Sequence, residues 1–151
     1  MEKMQEFYSW IIKRDLDRLI NEVNSFKEES TLWKTPGDVT NSAGNLVLHI
    51  AGNLNHFIGS ILGKNGYVRE RDREFNDKNV PADQLIHSIK NTRDMISDIL
   101  PGLNDEALAQ EMPVKLSDGK TYNGAEFIVH LSGHLNYHLG QINYLRRILE
   151  G

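Results

Sequence analysis

The chain contains no cysteine, which excludes a disulfide framework, a thiolate metal ligand and any thiol chemistry supplied by the protein itself. A thiol that takes part in its chemistry must come from outside. No apolar run approaches the ~20 residues needed to span a bilayer, and the opening MEKMQEFYSWIIKRDLDRLI is too charged for a secretory leader. A cytoplasmic location and no membrane partner are expected. Nor is there an excess of basic residues. Lys and Arg number 17 against 21 Asp and Glu, for a net charge of −4, so the clustered cations of a nucleic-acid surface are missing and no nucleic-acid partner is expected. Internal repeats and low-complexity tracts are absent too. What is present is ordinary for one soluble domain over residues 1–151: 39% hydrophobic and 25% charged residues, enough to bury one core.

Hydrophobic spacing predicts four helical stretches. Phe7, Ile11, Leu19, Val23 and Phe26 recur at intervals near three and four, giving an amphipathic helix over roughly 2–29. The segment TLWKTPGDVTNS then reads as a loop, with Trp33 as a lid whose indole N–H finds an acceptor. A second helix is expected over 43–63, capped by Asn41 or Ser42, with Leu46, Ile50, Leu54, Phe57 and Ile61 as its stripe. KNGYVRERDREFNDKN reads as a long polar connection. Pro81 suits the first turn of a third helix whose stripe runs Leu85, Ile89, Thr92, Ile96, Ile99 and Leu103. Asp118-Gly119 suggests a small hairpin. Asn123 and Glu126 then form a capping-box pattern at the head of a fourth helix reaching about Leu149. Four amphipathic helices around one core predict an all-α four-helix bundle.

The last helix carries HLSGHLNYHLGQI, with histidines at 130, 134 and 138. Its apolar sector is set by Phe127, Leu131, Leu135, Ile142, Leu145 and Leu149, and at about 100° per residue His138 falls near the middle of that sector, His134 within its edge and His130 about a right angle away. Residues four apart on a helix lie about 5–6 Å apart at Cβ, so His134 and His138 can converge on one ion. His130 and His138 are about 12 Å apart along the axis, too far for all three. A third ligand must come from elsewhere, from His49, His56 or His87. His87 flanks the third stripe and faces solvent. His49, Asn53 and His56 share a polar strip more than about 90° from the Ile50 and Leu54 stripe, which taken alone favours solvent for His49 as well.

NSAGNLVLHIAGNLNHFIG, followed some eighty residues later by DGKTYNGAEFIVHLSGHLNYHLGQINYLRRIL, resembles the DinB-like superfamily, in particular its branch of small uncharacterised bacterial proteins. The resemblance covers nearly the whole chain in element order. It implies a bundle in an up-down-down-up arrangement and one divalent metal held by His49, His134 and His138. For His49 it overrules the helical phase. Gly140, before Gln141 and Ile142, is expected to permit the close approach of a neighbouring helix. His56 and His130 are expected to be hydrogen-bonding or surface residues.

Three neutral imidazoles leave a divalent ion its full charge and at least one open position, the arrangement of a catalytic rather than a structural site. Zinc is the first expectation, with nickel or iron the alternatives. Such a centre can lower the pKa of water toward about 7, giving a hydrolase, or ionise an external thiol. Relatives implied by the resemblance use low-molecular-weight thiols such as bacillithiol or mycothiol, so a metal-dependent thiol S-transferase acting on a small-molecule substrate is the leading expectation. A metal-dependent hydrolase and a non-catalytic metal- or ligand-binding bundle remain the alternatives. A homodimer is implied by the resemblance alone.

Overall fold

The computed structural model describes residues 3–151. Those residues form six α-helices and no strand. Helix α1 spans Met4–Ser25 and buries Ile12, Leu16, Leu19 and Val23. Phe7, expected in that stripe, is 42% exposed and stacks on Trp10 at the surface. The helix stops short of residue 29 because the carboxylate of Glu150 accepts from the backbone N–H groups of Lys27 at 2.8 Å and Glu28 at 3.0 Å, drawing the chain out of helical geometry. A short 3₁₀ turn, Glu29–Trp33, follows. Trp33 packs against the core, but its indole N–H is buried without a partner among the described residues, contrary to expectation.

Ser42 caps α2, Ala43–Leu54, by accepting from the N–H of Asn45 at 3.2 Å. The helix continues to Leu62 in the wider π winding, Asn55–Leu62, and the N–H of Gly63 donates to the carbonyl of Ile58, five residues back. The extent matches the sequence reading; the winding does not. Within the expected polar connection lies α3, Arg71–Asn76, whose Glu74 is buried. It is pinned to α2 by Asn45, whose Nδ2 donates to the backbone carbonyls of Glu74 and Asp77, each at 2.9 Å.

Helix α4, Ala82–Ile99, buries Leu85, Ile89, Thr92 and Ile96, with Pro81 just outside its first turn as the cap. After the short α5, Asp105–Ala109, the expected hairpin is reduced to a tight turn. Gly119 takes φ +78° there, the N–H of Leu116 donates to the carbonyl of Lys120, and one isolated bridge joins Glu111 to Asn123. No ladder extends beyond that bridge because Asn123 and its successors are taken up by the next helix. This is α6, Gly124–Glu150, where the capping box of Asn123 and Glu126 is complete.

Polar pairs fix how the long helices run. Asp15, its side chain wholly buried, accepts from Asn136 at 2.7 Å and from Arg14 and Arg18, while Glu22 accepts from Asn143 and Arg146. Residue numbers rise together along α1 and α6, so these two are parallel. Gln5 donates to the carbonyl of Leu103 and Arg93 pairs with Asp17, so α1 and α4 are antiparallel. Phe57 meets Phe127 while His49 meets His134 and His138, so α2 and α6 are antiparallel. One continuous core, from Ile12 through Ile50, Ile89 and Leu131 to Leu145, lies among them.

Candidate metal centre

Helix α2 is buried nearly all round: every residue from Ala43 to Leu54 except Leu48 is buried. That decides the position of His49. Its phase points away from the Ile50 stripe, yet that flank is covered by α3 and α6, and His49 is only 8% exposed. A helical wheel assumes one solvated side, and a surrounded helix has none. His134 and His138 reach the same point from α6, half-buried and one turn apart.

The three imidazoles converge through Nε2. His134 Nε2 lies 3.1 Å from that of His49 and 3.1 Å from that of His138, and the three donor atoms all fall within 4.8 Å of one another. Bonds of about 2.0–2.1 Å around a tetrahedral ion set neighbouring nitrogens about 3.3 Å apart, close to the spacing of His134 from each of the other two, so the three side chains could hold a single divalent cation. Two of the other ring nitrogens, those of His49 and His138, are already engaged. His49 Nδ1–H donates to Glu74 Oε1 at 3.0 Å, and His138 Nδ1–H donates to Gln141 Oε1 at 2.7 Å. In the neutral ring those bonds leave the Nε2 atoms of His49 and His138 as bare acceptors. One proton on His134 Nε2 can satisfy only one of them. The other contact sets lone pair against lone pair, and a cation at the centre satisfies all three.

Protonation of His134 and His138 is disfavoured. Burial, then the neighbouring His138, His49, His130 and Arg69, push His134 down to about 3. Burial lowers His138 as well, opposed by its bond to Gln141.

Glu74 was not read from the sequence as a site residue. It belongs to RERDREFNDKN, whose charge density reads as a solvated connection. In the structure Arg69 grips it in a fork, Nε to Oε2 and Nη2 to Oε1, both at 2.8 Å. Burial alone would raise its pKa, but the hydrogen bonds from Arg69 and His49 outweigh that and hold it below the usual carboxylate value. It therefore stays ionised behind His49, which fixes the tautomer and the direction of the ring. Room for it comes from Gly52, where a Cβ would lie 2.0 Å from Oε2.

The remaining histidines are not joined to the three. His130 is exposed, with its ring 6.2 Å from that of His134 and 5.2 Å from that of Phe127. His56 packs on Phe57, and burial and then Arg69 lower its pKa. His87 is exposed. Gly140 has nothing within 4 Å of where its Cβ would be, so the expected close approach of a helix there is absent. Asn53, one turn beyond His49 and also buried, leaves its Oδ1 without a partner among the described residues.

No curated protein matches the chain. A family model described as a protein of unknown function, DUF1572, matches residues 3–151. The chain belongs to that family.

Proposed function

We propose that His49, His134 and His138 hold one divalent metal ion, zinc in the first instance, and that the protein is a DinB-like metal-dependent thiol S-transferase acting on a small molecule. The observation that carries the metal is the meeting of three Nε2 atoms, two of them held as acceptors by Glu74 and Gln141. The helix directions support the DinB-like up-down-down-up bundle: α2 and α4 both run against α1, and α6 runs with it.

Bound there, the cation would favour the thiolate form of an external thiol, whose free pKa is about 8.5. The protein's part is to aim the imidazoles and exclude protons from them. Glu74 orients His49, Gln141 orients His138, and burial keeps His134 neutral. The absence of cysteine makes an external thiol the only thiol available. Hydrolysis is the weaker reading, because it calls for a free carboxylate as general base. Glu74 touches the cluster, yet Arg69 and His49 occupy both its oxygens.

The test begins with protein purified without a metal column. Elemental analysis or zinc titration is expected to give about one ion per chain, and His138→Ala is expected to abolish binding. Loss of free thiol in the presence of an electrophilic dye should then require protein, metal and thiol together. A chain that refuses zinc overturns the enzymatic reading and leaves a bundle without turnover.

A further inference from the structure

A cavity of about 520 Å³ lies between the second half of α6 and the segment leading into α2. His138 and its partner Gln141 form part of its wall, so it adjoins the histidine cluster directly. Four large apolar side chains stand uncovered around it: Tyr137 is 66% exposed, Tyr144 64%, Ile148 64% and Val39 42%. Asp38 is the one formally charged residue in the lining, and no Lys or Arg is present.

We propose that this cavity binds a small molecule with an apolar, ring-bearing body and no negative charge. The volume is that of an ordinary small-molecule site. It would hold little more than one turn of a helix about 10 Å across, so it does not suit a folded partner. The tyrosine rings offer flat apolar faces with polar edges, which suit a ring. A carboxylate or phosphate would meet Asp38 with no Lys or Arg in the lining to balance it, the guanidinium of Arg147 being engaged over the Tyr144 ring, so an anionic thiol cofactor is not the occupant of the metal-free cavity. That the ligand is the electrophile of the histidine centre rests on the metal reading above. Its binding does not.

The test titrates the full chain, metal-free and zinc-loaded, with neutral N-phenylnaphthylamine and with its sulfonated congener, which shares the rings and adds a negative charge. One saturable site is expected in both forms of the protein, with the neutral probe bound at least about fivefold more tightly by the metal-free form. Asp38→Lys, a change on an exposed loop, should shift the preference toward the sulfonate. Tyr144→Ala should weaken both probes by up to about tenfold. Equal affinity of the metal-free chain for the two probes, no saturable site, or binding indifferent to both substitutions would overturn the proposal. So would probe binding that weakens as protein concentration rises, because a second copy of the chain would then be covering the cavity. Probe binding that persists in a protein unable to take zinc would sink the metal reading and leave the cavity assignment standing.

Discussion

Replacing Glu74 by Gln keeps the shape of the side chain but removes the charge that Arg69 and His49 share. His49 then keeps at most a neutral amide oxygen as acceptor, and the amide NH₂ sets donor against donor at Arg69, so the ring is held less firmly. Losses of this kind cost about 10–100-fold in metal affinity, and a zinc competition titration of Glu74→Gln against the parent is expected to fall in that range. Acid acts on the same cluster. The unfolded chain takes up a proton at His134 near the ordinary histidine value of 6.5, whereas the folded chain resists until about 3. Between those values the unfolded state binds more protons, so stability increases with pH across the window and is fully present above it. Metal-free protein should therefore show a falling urea midpoint from about pH 7 to about pH 5. The slope should be shallower than the about 1.4 kcal/mol per pH unit of a wholly buried group, since the ring is partly exposed. At this scale the α6 pair was legible, because position on a helix follows from periodicity alone. Glu74 was not, because burial of one acid inside a charged run depends on what packs over it. Its single trace in the sequence was Gly52, a glycine inside an apolar helix, which signals the close approach of another group.

Helices α2 and α3 behave as one unit, because His49, Asn45 and Gly52 each hold part of the short helix against the long one. Gly52→Ala would push a methyl group into the Glu74 carboxylate. Overpacking of this kind costs about 1–3 kcal/mol, read as a lower urea midpoint. Zinc affinity should fall with it, which a simple helix-propensity gain from alanine would not produce. Element existence was largely legible: of Asn41 and Ser42, the two caps expected for α2, Ser42 is the one used, and Asn123 with Glu126 marked the start of α6. Boundaries fared worse where distant groups decide them. The end of α1 is set by Glu150, 123 residues away from Lys27, and the π winding after Leu54 leaves no mark in the apolar spacing.

Across the whole molecule, metal and stability should be linked, since an ion that binds only the folded chain stabilises it by mass action. Zinc at a hundred times its dissociation constant adds about 2.7 kcal/mol, which for a domain of this size raises Tm by roughly 5–10 °C. Calorimetry with and without zinc is expected to show that rise in the parent and none in His138→Ala. The all-α class was legible from spacing. Convergence of α2 on α6 was not, since it depends on which flank of α2 each neighbour covers.

Asn136 follows His134 and precedes His138 by two residues, about 200° round the helix, so it projects from the far side of α6. There Asp15 holds it. Rolling α6 by a single residue's 100° would swing both imidazoles off target, and the grip of Asp15 resists that roll. The azimuth of two histidines is thus locked from α1, a helix that carries none.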